Sequence, residues 1–147
     1  MVTPAALARP ALIDTAVWTW VRDRRFPGLA TWFNDAARNG LVLVCDLVIL
    51  ELVRMAANGQ RAHELAGRLA SFESVAMPAE VWRRAREVQL LLATQGDHRR
   101  VPPADLLIAA SAELADVPLL HYDRDYERIA AVTGQRAAWF VPDGDLA

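Results

Sequence analysis

The chain has 147 residues, of which 54% are hydrophobic, and this is enough to build one ordinary domain over residues 1–147. Its net charge of -2 and its pI near 5.9 exclude a generally basic protein that binds nucleic acid by releasing counterions. The longest apolar run, residues 41–50, is short and contains Asp46, so we expect no membrane span and no membrane partner. No secretory signal opens the chain, which predicts a cytoplasmic protein.

Short apolar runs alternate with longer helical patterns along the chain, and this alternation is typical of an α/β domain with a parallel sheet. We expect a parallel sheet of four to five strands. The predicted strands cover residues 11–14, 41–45, 74–77, 118–121 and 137–141. The predicted helices cover residues 15–24, 28–39, 63–72, 78–94 and 125–132, with two more that start at Asp46 and carry Glu51, and at Pro103 and carry Asp105.

Most of these helices have recognisable starts. Thr15 and Asp46 are residue types that cap the first turn of a helix, and Asp125 is a candidate cap for the last one. Pro103 suits the first position of its helix, since that position needs no N–H donor. The pair Asn58 and Gly59 predicts a break between two helices.

Four carboxylates lie beside apolar runs, where an unpaired charge is costly: Asp14, Glu51, Asp105 and Asp123. Asp14 and Asp123 fall at the carboxyl ends of predicted strands, which is where open α/β sheets place their ligands. Asp105 falls in the first turn of a predicted helix, where the helix dipole favours an anion. Four acids from four separate segments can therefore converge on one crevice, and we call them the acidic quartet.

Such a quartet predicts a site for a hard divalent cation. No set of His or Cys ligands accompanies it, which favours Mg²⁺ or Mn²⁺ over zinc. Ions held in this way activate water and stabilise the leaving oxygen when a phosphodiester is cleaved. The sequence has no Walker phosphate loop, no HExxH motif and no GxSxG motif that would point to other chemistry.

Four segments of the chain resemble the PIN-domain ribonucleases, specifically the VapC toxins of VapBC toxin–antitoxin modules. The segments are residues 12–18, Glu51, residues 103–110 and residues 119–129, in that order and spacing. The resemblance covers about residues 11–141. It implies a single PIN domain with helices on both faces of its sheet, metal-dependent cleavage of RNA, and a cognate VapB-type antitoxin that blocks the active site.

By position, the resemblance makes the acidic quartet the catalytic and metal-binding set. Asp14 and Asp105 would bind the principal ion, and the other two acids would complete its shell, bind a second ion or orient water. Thr15 matches a hydroxyl that bonds a metal-bound water or a ligating carboxylate. Asp125 is an accessory acid.

Two positions depart from the family pattern. Ala16 stands where many members have Ser or Asn, which removes a polar contact near Asp14 and is expected to weaken metal affinity. His121 stands where many have Thr or Ser, and an imidazole this close to Asp123 predicts activity that depends on pH near neutrality. Arg99 and Arg100, just before Asp105, are candidates for contacts to RNA phosphates.

Each acid also has a plain structural explanation when taken alone. Asp14 or Asp125 could simply cap a helix, and Asp105 could be a favourable acid in a first turn. Glu51 could pair with Arg54 on an exposed helix face. Their joint occurrence in the expected order is what favours the metal site.

The sequence thus predicts a Mg²⁺- or Mn²⁺-dependent endoribonuclease toxin that forms a homodimer. Its antitoxin is expected to insert a segment into the active-site groove, with an Arg that replaces the charge of the metal. DNA would be contacted only indirectly, through that antitoxin. The alternatives are a catalytically silent PIN domain that binds RNA or supports assembly, and a metal-dependent phosphatase.

Overall fold

Five short strands form one parallel sheet in the computed structural model, which describes residues 2–146. The strands are β1 (Ala11–Ile13), β2 (Val42–Val44), β3 (Glu73–Ser74), β4 (Leu119–His121) and β5 (Ala137–Trp139). They lie in the order β3-β2-β1-β4-β5, and every pairing between neighbours is parallel. The predicted parallel α/β sheet of four to five strands is confirmed. The expected domain, residues 1–147, includes two terminal residues that lie outside the described ones.

Seven helices connect the strands within the described part of the chain. They are α1 (Thr15–Trp20), α2 (Pro27–Arg38), α3 (Asp46–Arg54), α4 (Gly59–Leu69), α5 (Ala79–Thr94), α6 (Pro103–Leu114) and α7 (Arg124–Thr133). Right-handed crossovers place α1 to α4 on one face of the sheet and α5 to α7 on the other. In agreement, α5, α6 and α7 pack against one another, and α3 packs against α4. None of the helices in residues 2–146 has the length and apolarity needed to cross a bilayer.

The central strands carry apolar side chains towards both faces, as a sheet covered on both sides requires. All residues of β1, β2 and β4 are buried. Leu12 of β1 pairs with Leu43 on one side and with Leu119 on the other. The acids that follow β1 and β4 are therefore anchored to fully buried strands.

Several boundaries differ from the prediction. Helix α1 ends at Trp20 rather than near residue 24, and turns fill the chain up to α2. Helix α4 begins at Gly59 rather than at residue 63, because Asn58 caps it by accepting a hydrogen bond from the Arg61 N–H at 2.9 Å. The third strand is the exposed pair Glu73–Ser74, one residue earlier and shorter than expected.

The predicted caps also shift by one or two residues. Asp46 is the first residue of α3, and Cys45 occupies the N-cap position without a side-chain hydrogen bond. Asp14, not Thr15, caps α1, and Asp123, not Asp125, caps α7. Two members of the acidic quartet, Asp14 and Asp123, therefore also cap the N-termini of helices.

Candidate active site

The site lies where the order of strands reverses, between β1 and β4. Crossovers run in opposite directions from these two neighbours, so a crevice opens at their carboxyl ends. Asp14 directly follows β1, and its N–H donates to the Leu120 carbonyl of β4 at 3.0 Å. Asp123 follows β4 by two residues. The sheet thus brings two predicted site residues to one edge, as the sequence indicated.

Asp14 is the most deeply buried member of the quartet, with 5% of its surface exposed. One of its oxygens accepts from the Ala16 N–H at 3.2 Å, which is the cap of α1. Burial raises the pKa of Asp14 to about 6, while hydrogen bonds from Tyr126 and from the backbone oppose the shift. Asp14 therefore caps α1 and also lies at the switch point of the sheet.

Three further acids come close together beside it. Carboxylate oxygens of Asp105, Asp123 and Asp125 lie within 4.8 Å of one another. Burial raises the pKa of Asp105 to about 7, and the negative charges of Asp14 and Asp123 add to the shift. A pKa of about 7 means that Asp105 is only partly ionised at neutral pH.

Tyr126, for which the sequence indicates no role in the site, lies between Asp14 and Asp105, whose pKa values are raised to about 6 and about 7. Its hydroxyl is 2.6 Å from Oδ1 of Asp14 and 3.2 Å from Oδ1 of Asp105. Burial and the two carboxylates raise the pKa of Tyr126 well above its ordinary value, so the hydroxyl keeps its proton and can donate it. In the sequence, a tyrosine on the apolar face of a predicted helix indicates a residue of the hydrophobic core. The only further signal is its hydroxyl, which needs a hydrogen-bond partner when it is buried.

Glu51 reaches the site through Thr15. The Thr15 hydroxyl donates to Oε1 of Glu51 at 2.7 Å, and the charge of Glu51 contributes to the raised pKa of Asp14. Among the described residues no ion pair joins Glu51 to Arg54, so the alternative of an exposed helical pair is wrong. The hydroxyl predicted to bond a ligating carboxylate does bond Glu51.

Asp125 belongs to the acid cluster and to an ion pair at the same time. Its Oδ1 accepts from Arg128 at 2.7 Å, one turn further along α7. Burial and Asp123 raise the pKa of Asp125, and Arg128 opposes them. Asp125 therefore belongs to the cluster, but Arg128 neutralises part of its charge.

His121 is fully buried, and it does not behave as the sequence suggested. Burial lowers the pKa of His121 to about 4, so the imidazole is neutral near pH 7 and the expected pH dependence from this residue is wrong. Its Nδ1 accepts the Asp123 N–H at 3.2 Å, which leaves the proton on Nε2. Among residues 2–146 Nε2 has no hydrogen-bond partner, and it lies 3.8 Å from Oε2 of Glu127. His121 is a neutral support for the backbone at Asp123.

Arg99 and Arg100 lie in the exposed turn before α6. Arg100 pairs with Asp97 at 3.5 Å. Within residues 2–146, no hydrogen bond or ion pair joins either arginine to the acidic quartet. The structure leaves both side chains on the surface near the start of the helix that carries Asp105.

The donor set suits a hard divalent cation. It consists of carboxylate oxygens from separate elements, and the raised pKa values of Asp14 and Asp105 show that the site favours added positive charge, whether from protons or from a metal. Mg²⁺ and Mn²⁺ prefer such oxygen ligands. The residues present therefore fit the ion that the sequence predicted.

A parallel sheet in this strand order with acids at its switch point defines a PIN domain, and the PIN domain family model matches residues 11–132. The chain belongs to the PIN-domain family and, within it, to the VapC group. It is 37% identical to Ribonuclease VapC18 of Mycobacterium tuberculosis (strain ATCC 25618 / H37Rv) over 136 residues, which are 91% of this chain and 97% of the relative. It is 42% identical over 120 residues to Ribonuclease VapC21 of M. tuberculosis (strain CDC 1551 / Oshkosh), covering 80% of this chain and 86% of the relative.

Solved structures share the fold. The crystal structure of DNA-bound VapBC from Salmonella typhimurium matches with a TM-score of 0.70 at 17% identity, over 90% of this chain and 98% of that one. VapBC2 from Rickettsia felis, bound to a DNA fragment from its promoter, matches with a TM-score of 0.69 at 16% identity, over 88% and 98%. At these identities the likeness concerns the fold.

Proposed function

We propose that this protein is a Mg²⁺- or Mn²⁺-dependent endoribonuclease and the toxin of a type II toxin–antitoxin pair, acting in the cytoplasm. The observation that carries the proposal is the cluster of Asp105, Asp123 and Asp125 at the switch point, to which the Tyr126 hydroxyl links the buried Asp14 by contacting both Asp14 and Asp105. The names of its relatives, which are ribonucleases, agree with it.

In this proposal Asp14 and Asp105 would hold the principal ion, and Glu51 and Asp123 would complete its shell or bind a second one. A bound divalent ion supplies an activated water and neutralises charge that develops on the phosphodiester. The chain's own residues set the geometry around it. Thr15 fixes the Glu51 carboxylate with its hydroxyl at 2.7 Å.

Asp123 is held in place from two sides. Its Oδ1 accepts from the Asp125 N–H at 2.8 Å, and its own N–H donates to the buried His121. The exposed Arg99 and Arg100 contact phosphates of the RNA and so orient the strand without reading its sequence.

Cleavage of total cellular RNA by purified, antitoxin-free protein tests the activity, with Mg²⁺, Mn²⁺ or EDTA. We expect discrete fragments that require the metal and are absent with Asp14→Asn and with Asp105→Asn. Asp116→Asn is the matched control: this acid is 93% exposed at the amino end of β4, and its φ of 56° is one that Asn tolerates. Binding of RNA without cleavage by folded wild-type protein would instead support the catalytically silent module.

The partner is a cognate VapB-type antitoxin, and the structural neighbours are VapBC complexes. A groove of about 610 Å³ opens between α1, α2 and α4, with an apolar lining that includes Trp18, Phe33 and Phe72. Three arginines and one acid also line it: Arg22, Arg24, Arg68 and Asp23. The surplus of positive charge over an apolar floor favours an amphipathic antitoxin helix with acidic residues on its flanks.

Charge reversal at the groove tests this assignment. Arg68→Glu is expected to weaken binding of the antitoxin while RNA cleavage by the free toxin stays at the wild-type rate, because Arg68 belongs to the groove and not to the acid cluster. Isothermal titration with purified antitoxin provides the affinity, and Arg61→Glu, on the same helix, is the control. Unchanged affinity for Arg68→Glu would exclude the groove as the docking site.

A further inference from the structure

A short turn, residues 142–146, is fastened next to Asp123. The turn follows the carboxyl end of β5, so it lies at the same edge of the sheet as the acids of the site. The Tyr122 hydroxyl, one residue before Asp123, accepts from the N–H groups of Gly144 and Leu146 at 3.1 and 3.0 Å. The same hydroxyl donates to the Leu146 carbonyl at 3.1 Å, and Leu146 is buried. The 142–146 turn is therefore held in a defined position beside the site.

Arg124, the residue after Asp123, is also bound by this turn. Its Nε donates to Oδ2 of Asp143 at 2.7 Å, and within residues 2–146 Asp143 is its one side-chain partner. The side chain of Arg124 is 73% exposed, and that of Asp143 is 40% exposed. The Nη groups of Arg124 make no hydrogen bond to the described residues, so they can bind a ligand from solvent.

The positive charge of Arg124 is not used to neutralise the acids of the site. Arg128 pairs with Asp125 at 2.7 Å. No ion pair in the described part of the chain joins Arg124 to Asp123 or Asp125. RNA is a polyanion that these acids repel, so a cation at the rim of the site helps to bring a phosphate close. The planar guanidinium of an exposed arginine suits this contact, because its N–H groups match the oxygens of a phosphate.

We propose that Arg124 binds a backbone phosphate of the RNA at the active site, and that Asp143 pairs with Arg124 in the free protein as an internal carboxylate that competes with this phosphate. The inference rests on the RNA cleavage of the proposed function. An exposed ion pair contributes little to stability, so RNA can displace Asp143 at small cost. Asp143 thereby keeps the affinity for RNA below the value that Arg124 alone would give.

Binding of RNA in EDTA, which prevents metal-dependent cleavage, tests the inference. The probe is a fluorescein-labelled single-stranded RNA of random sequence, and fluorescence anisotropy measures its affinity over a series of salt concentrations. We expect Arg124→Gln to lose about 10-fold in affinity at low salt, because a charge-assisted hydrogen bond to phosphate is removed. The slope of log affinity against log salt concentration should become shallower by about 0.7, which is the counterion release for one phosphate of a single strand.

Asp143→Asn should change the affinity in the opposite direction. Loss of the competing carboxylate is expected to raise the affinity for RNA by up to about 5-fold, which is the range of an exposed ion pair. Asp145→Asn is the matched control, because it removes the same charge from the same turn, whereas no ion pair within residues 2–146 joins Asp145 to Arg124. An equal gain for Asp143→Asn and Asp145→Asn would reflect net charge alone and would overturn the inference.

A double-mutant cycle isolates the competition between Asp143 and the phosphate. In the Arg124→Gln background, Asp143→Asn should gain no more affinity than Asp145→Asn does, since no arginine remains to be released. An undiminished gain in that background would contradict the competition. Arg136→Gln, which breaks an exposed ion pair with Asp116 at the amino ends of β4 and β5, should keep the salt slope of the wild type.

Cleavage of total RNA with Mg²⁺ or Mn²⁺ distinguishes this inference from the proposed function. If wild type cleaves RNA while Arg124→Gln keeps the wild-type affinity and salt slope, the inference fails and the nuclease stands. If Arg124→Gln weakens binding of the antitoxin but not of RNA, the arginine belongs to a protein interface and the inference again fails. If wild type neither binds nor cleaves RNA, both fail.

Discussion

At the scale of single residues, the site is built from carboxylates that are costly to ionise without a counterion. Asp14 and Asp105 both have a raised pKa, for which burial is the first cause, and their mutual repulsion adds to the shift at Asp105. Nearby Arg128 compensates only Asp125. Ionisation of these two buried acids therefore lowers the free energy of unfolding, and a bound divalent cation would raise it again.

The cost of ionising Asp105 in the folded protein predicts how Asp105→Asn changes the pH dependence of stability. The folded pKa of Asp105, about 7, lies above the unfolded value of 3.8, so between these values the folded protein holds a proton that the unfolded chain has lost. Stability from this group is fully present below pH 4 and is lost as the pH rises to 7. In EDTA, wild type should lose about 1–2 kcal/mol relative to Asp105→Asn between pH 5 and pH 8, a value reduced for partial exposure of the carboxyl.

Urea unfolding followed by tryptophan fluorescence at both pH values measures this difference. Asp116→Asn is again the control, because that acid is exposed and lies outside the acid cluster. If wild type and Asp105→Asn differ in free energy of unfolding by the same amount at both pH values, the fold does not raise the pKa of Asp105.

At the scale of elements, the strands and their terminal acids were predictable because β1, β2 and β4 are apolar runs that end abruptly in polar residues. The boundaries of the helices were less predictable from the sequence. The pair Asn58 and Gly59 signals a break, yet Asn58 is also a good cap, and the helix starts directly after it. Local sequence alone does not decide between these two outcomes.

The parts of the site that the sequence did not reveal depend on long-range packing. Tyr126 and Asp14 are 112 residues apart in the chain, so nothing local distinguishes a core tyrosine from one that bonds two acids. The pKa of His121 likewise depends on how completely the fold buries it, and a sequence reports only that an imidazole stands near Asp123.

Two glycines in different helix positions predict opposite effects of the same substitution. Gly134 ends α7 with a φ of 74°, so Gly134→Ala should destabilise the protein by about 1 kcal/mol through backbone strain. Gly67 lies inside α4 with no atom within 4 Å of an added Cβ, so Gly67→Ala should stabilise it by roughly 0.5–1 kcal/mol. Chemical denaturation of both variants checks the signs; equal signs would contradict the helix ends described here.

At the scale of the whole molecule, the surfaces proposed for catalysis, antitoxin binding and dimerisation are separate. The acid cluster lies at the carboxyl ends of β1 and β4, whereas the apolar groove lies between α1, α2 and α4. A third surface is formed by α5 and α6, where the exposed Trp82 stands beside a cleft of about 180 Å³ lined by Leu106 and Leu107. Large exposed apolar side chains next to a cleft are typical of a contact between proteins.

For the expected homodimer, we predict that this α5 and α6 surface forms the interface. In a two-fold contact the same patch meets itself, so Trp82 of each copy can fill the cleft beside Trp82 of the other. Trp82 is 59% exposed, and its truncation should weaken the dimer about 10-fold or more, as expected for an aromatic anchor at an interface. Sedimentation equilibrium of Trp82→Ala measures the dissociation constant.

Leu50→Ala, at a comparably exposed apolar residue on α3 outside the cleft, should dimerise like wild type. If Leu50→Ala dissociates while Trp82→Ala does not, the interface belongs to α3, and if wild type is monomeric, the expectation of a homodimer is wrong.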